Sequence, residues 1–294
     1  MKLLILLTLL SLSFSQERLF YLMGTYALIE LPEGKEYQAY RYMKSLEEKL
    51  SDYMEDSEVS RINKSAGVGC EKASEETLEV VQKALEISKR TYGFFDIMVG
   101  AYTINYKRKG LIGEEEAKRL IDYKKVSIEG AKVCLLEKGM AIDLGGIGKG
   151  YAVQKAYERL KTPWGFISIA GDLRVWGHKR LLAIFNPINN TLLAEGYNSK
   201  DLCLSTGGNY LRKHIIGKEN SLLQATVAYH DCTITDALET ALLAMEDESR
   251  ERFIKENPHI GVFLLFKDGS LFINRAFMEY FESLKIYPAL KSFI

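Results

Sequence analysis

Two stretches of this chain combine residue types that could hold a phosphorylated ligand beside a metal ion. In the first, Asp143-Leu144-Gly145-Gly146-Ile147-Gly148-Lys149-Gly150 sets four glycines within six residues, directly after the apolar run Met140-Ala141-Ile142. It leads into a segment in which Val153, Ala156, Tyr157 and Leu160 share a helical face. A strand, glycine turn and helix in that order lets backbone N–H groups approach an anion, and the helix dipole favours negative charge at its start. Lys149 adds a full positive charge at the same mouth, so a phosphate or pyrophosphate is the expected guest. The stretch is not a Walker loop, because Gly150 stands where a magnesium-binding Ser or Thr would follow the lysine. Nor do glycines at 145, 146, 148 and 150 fit the dinucleotide pattern GxGxxG. A glycine-rich turn with no ligand is the alternative reading.

The second stretch, residues 233–245, is a strong helix former with Thr233 or Thr235 placed to cap its start. Asp236 and Thr240 lie four apart and project from one face about one turn apart. A carboxylate and a hydroxyl at that spacing offer two hard oxygen ligands of the kind Mg²⁺ takes when phosphates and water complete its octahedron. The plainer alternative is an aspartate in the first helical turn that merely complements the dipole.

The elements that must position these residues alternate between helix and strand. Tyr37, Tyr40, Met43, Leu46 and Leu50 mark one helix, and Leu78, Val81, Leu85 and Ser88 another. Residues 166–170, 181–185, 222–229 and 260–266 are rich in β-branched and aromatic types and predict strands. The last precedes Asp268-Gly269 and the run 271–273, which predicts a hairpin with a tight primed turn. Strands that return through hairpins as well as helices predict an α+β fold of mixed or antiparallel sheets with packed helices. With 294 residues, 47% hydrophobic and 27% charged, the chain has material for one large domain or two closely packed lobes.

The 39 basic residues balance the 39 acidic ones without long blocks of either sign, which speaks against a nucleic-acid partner. Residues 1–15 differ from the rest: Lys2, the apolar run 3–10, then small residues around Ser11, Ser13 and Ser15. This predicts a secretory signal cut near Ser15 or Gln16, with a retained membrane anchor as the alternative, and leaves 16–294 as the mature domain. The apolar run falls short of the roughly 20 residues needed to span a bilayer. Cys70, Cys134, Cys203 and Cys232 are widely spaced, form no CxxC pair, and are expected to be buried small hydrophobes in preference to a metal site, with a disulfide among them left open.

Further elements join the two stretches in a fixed order. They are Met23-Gly24-Thr25, the segment Ser51 to Asn63 with Tyr53, Ser57 and Glu58, Gly93-Phe94-Phe95-Asp96, Ala170-Gly171-Asp172 with Gly177, Ser205 to Tyr210, and His214-Ile215-Ile216. Together with Asp143 to Gly150 and the Thr235 to Ala241 helix, this set resembles the ApbE family of FAD:protein FMN transferases over about residues 20–246. Two departures stand out: Gly217-Lys218-Glu219 where the family usually continues with Asp-Pro, and Ala170 where a glycine is usual.

The resemblance implies that an ApbE-like domain cleaves FAD and attaches FMN to a threonine of an acceptor protein, releasing AMP. It implies Mg²⁺ held by Asp236, Thr240 and the backbone carbonyl of Gly146, with Lys149 assisting at the leaving AMP or the transferring phosphate. His214 is the candidate base, or else a structural hydrogen-bonding residue. Tyr53 is the candidate aromatic stacker, with Met23, Phe94, Phe95, Asp96 and Ile216 lining the flavin pocket, although Phe94 and Phe95 also suit plain core packing. An exported protein acting on a redox complex would be periplasmic or associated with the inner membrane. A periplasmic FAD pyrophosphatase and a non-catalytic FAD carrier are the other functions these residues allow. Asp236→Ala is expected to abolish transfer and spare the fold, on the expectation that Asp236 sits at an accessible helix end.

Overall fold

The computed structural model describes residues 17–208 and 220–288, so the expected signal segment lies outside the described residues. The fold is α+β, and every described strand pair is antiparallel. The central sheet has eight strands: β1 (Arg18–Leu22), β2 (Thr25–Glu30), β3 (Gly165–Ile169), β4 (Asp172–Trp176), β5 (Leu202–Gly208), β6 (Leu222–Tyr229), β7 (Gly261–Phe266) and β8 (Leu271–Ile273). Their order in space is their order along the chain. The hairpin expected around Asp268-Gly269 is the β7–β8 pair, in which Leu264 faces Phe272.

Both faces of this sheet are covered, which explains why its strands read as continuous apolar runs and not as strict alternation. Ile167, Ile169, Val262 and Leu264 join one core cluster. Their strand neighbours Phe166, Phe263 and Leu265 belong to a second. The first cluster lies under the helices α1 (Lys35–Leu50), α2 (Glu75–Arg90), α3 (Gly148–Leu160) and α4 (Cys232–Ala244). The second takes in Leu182, Ile184, Leu193 and Ala194 of a small sheet formed by strands 181–185, 192–197 and 285–286. A third sheet, of strands 70–72, 126–129 and 132–135, belongs to the excursion between β2 and β3.

All four cysteines are paired, which answers the disulfide question that the sequence left open. Cys70 lies directly opposite Cys134 in the register of the third sheet, and the two form a disulfide. Cys203, near the start of β5, is joined to Cys232, the first residue of α4. Pairings of this kind depend on which strands become neighbours, and linear spacing does not show that.

Candidate active site

The glycine stretch forms a turn that opens directly into α3, whose first residue is Gly148. The strand-like run before it is held by Asn63, whose side-chain amide donates to the carbonyl of Ile142 at 3.0 Å and whose Oδ1 accepts from the Ile142 amide at 2.7 Å. Asp143 then fixes the turn itself. Its amide donates to the Ile97 carbonyl at 2.8 Å, its Oδ1 accepts from the Gly145 amide at 2.8 Å, and its Oδ2 accepts from the Thr103 hydroxyl at 2.6 Å.

The helix α4 starts at Cys232, ahead of both expected caps, and its cap is Asp231, whose Oδ1 accepts from the amides of Thr233 and Ile234. Neither Thr233 nor Thr235 is the cap. Asp236 is consequently the fifth helical residue, not a first-turn dipole partner, and only 1% of it is exposed. Its burial is a matter of helix packing. A Cβ placed on Gly150 would fall 2.1 Å from the Cys232 carbonyl oxygen and 2.6 Å from Asp236 Cβ, so only glycine lets α3 meet α4 here. The Gly150 amide donates to Asp236 Oδ2 at 2.8 Å. One turn further on, a Cβ on Gly146 would lie 2.9 Å from Thr240 Oγ1.

Gly146, Lys149, Asp236 and Thr240 are thus brought together from two distant parts of the chain. Asp172, the first residue of β4, joins them: its Oδ2 lies 2.7 Å from Lys149 Nζ, while Asp236 Oδ1 lies 3.6 Å from the same ammonium. The side chains of Asp172 and Asp236 are 5% and 2% exposed, and that of Lys149 is 28% exposed. Burial lowers the Lys149 pKa, yet the Asp172 and Asp236 carboxylates outweigh it and hold the lysine pKa above its ordinary value. Burial, followed by repulsion from Asp172, pushes the Asp236 carboxyl above the usual carboxylate range, opposed by Lys149 and the Gly150 amide. Glu239 belongs to the same cluster: burial first, then Asp172 and Asp236, drive its pKa well up. Sequence reasoning placed neither Asp172 nor Glu239 in the site. The signal for Glu239 was its position three residues after Asp236; for Asp172 it was the Gly171-Asp172 turn.

The remaining expected residues fall around this centre. Tyr53 is 80% exposed, and the Arg108 guanidinium lies 4.0 Å from its ring centre. Arg108 also pairs with the Asp52 carboxylate. Burial and then the Asp143 charge raise the Asp52 pKa, which ties the Tyr53 segment to the start of the glycine turn. Met23 is partly buried at φ 51° in the β1–β2 turn. Phe95 is 4% exposed and Phe94 partly buried, both packed with the main core.

Asp96 is a cap: its Oδ1 accepts from the Met98 amide and its Oδ2 from the Tyr123 amide, each at 2.8 Å. Burial raises the Asp96 pKa to about 6 against those two amides. This segment supports the glycine turn from behind, through the Ile97 carbonyl that receives Asp143 and through Gly100, where a Cβ would sit 2.4 Å from the Ala141 carbonyl oxygen. His214 and Ile216 lie outside the described residues.

Among the described residues, three His, Cys, Asp or Glu ligand atoms lie within 4.8 Å of one another only at Cys70, Glu129 and Cys134, where the two sulfurs are joined as a disulfide. A groove of about 420 Å³ lined by Lys35, Arg41, Tyr42 and Arg159 shares no residue with the acidic cluster.

The ApbE family matches residues 23–264. The chain belongs to the ApbE family. It is 25% identical, over 276 aligned residues covering 83% of this chain and 81% of the other, to the FAD:protein FMN transferase of Vibrio cholerae serotype O1. Among solved structures, the ApbE protein of Thermotoga maritima superposes with a TM-score of 0.82 at 22% identity, covering 92% of this chain and all (100%) of that one. The flavin transferase ApbE of Vibrio cholerae gives a TM-score of 0.79 at 21% identity over 90% of this chain and 99% of that one. The apo flavinyl transferase ApbE of Pseudomonas stutzeri gives 0.77 at 22% over 91% and 97%. The fold described above is therefore an ApbE fold.

Proposed function

We propose that this chain is a flavin transferase that moves the FMN half of FAD to a threonine hydroxyl of another protein and releases AMP. A phosphoester bond forms to the threonine oxygen, the pyrophosphate P–O bond breaks, and the hydroxyl proton leaves with a base, for which His214 is the candidate. The observation that carries this reading is the Gly150–Asp236 junction, which sets the start of α3, Lys149 and the Asp236–Thr240 face at one point. The name of the Vibrio cholerae relative supports the same activity.

The donor set suits Mg²⁺: a buried carboxylate and a half-buried hydroxyl, no accessible thiol among the described residues, and a Glu239 Oε1 that is buried without a described partner. Asp236 and Thr240, with the Gly146 carbonyl, would hold the ion. When bound, Mg²⁺ neutralises pyrophosphate charge and makes the phosphorus open to attack. The chain's own groups do the rest. The Gly150 amide orients the Asp236 carboxylate, and Asp172 keeps Lys149 charged and aimed at the mouth of the turn. There the ammonium can stabilise the leaving phosphate. Tyr53, backed by Arg108, offers an exposed ring for stacking one aromatic end of FAD.

Incubation with FAD, Mg²⁺ and a peptide bearing an acceptor threonine is expected to give a flavin-bearing peptide and one AMP per flavin. Free FMN beside an unmodified peptide would assign the site to hydrolysis instead, and metal-independent FAD binding without turnover would assign it to flavin carriage.

We further propose that the protein is exported, acting on an acceptor in the periplasm or at the inner membrane. The 1–15 segment and the two disulfides support this. No helix among the described residues is long and apolar enough to cross a membrane. Recovery of the protein with four free thiols from the cytoplasm would argue against export.

A further inference from the structure

Glu239 lies three residues after Asp236 and one before Thr240, so the three side chains project from one face of α4. Glu239 is 7% exposed. Its Oε2 receives a long hydrogen bond from the Thr240 hydroxyl at 3.4 Å, and its Oε1 is buried with no hydrogen-bond partner among the described residues. The carboxylate lies against Gly207 of β5, where a Cβ would fall 2.2 Å from Oε1, so only glycine leaves it room there. An ionised carboxylate held there without a partner is costly, and the cost is relieved by a proton or by a cation that completes it.

The charges nearby show what is missing. Lys149 Nζ sits closer to Asp172 (2.7 Å) than to Asp236 (3.6 Å), so the lysine is taken up mainly by Asp172. When ionised, Asp236 and Glu239 then carry two negative charges that no described side chain neutralises fully, and one divalent cation would balance both. Hard oxygens from two carboxylates and a hydroxyl suit Mg²⁺ or Mn²⁺.

The geometry points to Glu239 as a second carboxylate ligand of the divalent-cation site framed by Asp236 and Thr240, which lets the chain hold its cation before FAD arrives. The inference rests on the reading of Asp236 and Thr240 as cation ligands. The extra anionic ligand separates cation loading from flavin binding, because substrate phosphates are no longer needed to complete the charge around the ion.

Mn²⁺ titration of the FAD-free protein by calorimetry or electron paramagnetic resonance tests this directly. The unaltered protein is expected to bind one Mn²⁺, and Glu239→Gln to weaken that affinity by about tenfold or more with the circular dichroism spectrum unchanged. Wild-type affinity in Glu239→Gln, alongside loss in Asp236→Asn, would overturn the role of Glu239 and leave the Asp236–Thr240 site standing. No Mn²⁺ binding by the unaltered protein, with or without FAD, would overturn both readings, and binding that appears only with FAD would overturn the loading order. Should Glu239→Gln fail to fold, Glu239→Asp keeps the charge but draws it back by one methylene, and is expected to weaken Mn²⁺ several-fold; unchanged affinity there would refute the proposal.

Discussion

The Gly150 amide donates to Asp236 Oδ2 at 2.8 Å, joining the first turn of one helix to the interior of another that lies far along the chain. The carboxylate is thus oriented by backbone, and the same contact makes it a structural residue.

Asp236→Asn keeps an oxygen for the Gly150 amide and removes the charge, so flavin transfer is expected to fall by at least about a hundredfold with little loss of stability. Asp236→Ala also leaves the Gly150 amide unpaired and is expected to cost about 1–3 kcal/mol in folding stability. The expectation that alanine would spare the fold is therefore revised, because Asp236 is buried. Chemical denaturation of both variants beside the transfer assay separates charge from structure. Equal stability of the two would show that the Gly150 bond contributes nothing.

The glycines of the turn should differ sharply in tolerance. Gly150→Ala forces a methyl to 2.1 Å from a carbonyl oxygen and is expected to cost about 3 kcal/mol or more. At Gly145 the nearest atom is Asp143 Oδ1 at 3.0 Å, on a side chain that can shift, and alanine there should cost less than about 1 kcal/mol. Thermal melting of the two variants decides the matter, and comparable losses would contradict the described α3–α4 contact.

Asp96 predicts a specific pH dependence. Its folded pKa of about 6 lies above the ordinary carboxyl value of 3.8, so the folded state holds this proton more tightly than the unfolded chain does. The associated stability is complete below the unfolded pKa and is lost as pH rises through about 6. Allowing for partial solvent screening, the change is about 2 kcal/mol. Denaturation midpoints measured from pH 4 to 7 should show this component in the unaltered protein and lack it in Asp96→Asn. Parallel curves would disprove it.

Ala170 adopts φ 51°, a left-handed conformation that disfavours any Cβ. The departure from glycine seen in the sequence therefore carries strain. Ala170→Gly is expected to raise stability by about 0.5–1 kcal/mol, the relief of strain less the greater freedom of glycine in the unfolded chain. A lower melting temperature would count against this.

Local chemistry was the legible part of the sequence. The glycine turn, the helix after it, the shared face of Asp236 and Thr240 and the Asp268-Gly269 hairpin all depend on residues near one another, and periodicity or turn preference exposes them. The cap of α4 was misplaced because Asp231, Thr233 and Thr235 are all competent caps, and packing against α3 decides among them. Asp172 and Glu239 were missed for a different reason. The relation of Asp172 to Lys149 exists only once β4 and α3 lie side by side, while Glu239 shares the Asp236 face by spacing but is set against the site only once β5 packs on α4. The same holds for Asn63, whose two bonds to Ile142 cross much of the chain.

Glu30 and Phe166 face each other across β2 and β3, so everything between them departs from the sheet and returns through adjacent positions. The excursion is no loose loop, because it supplies α1, α2 and α3, which cover one face of the sheet. That excursion carries the glycine turn and α3, so two neighbouring strands clamp both ends of the segment that meets Asp236.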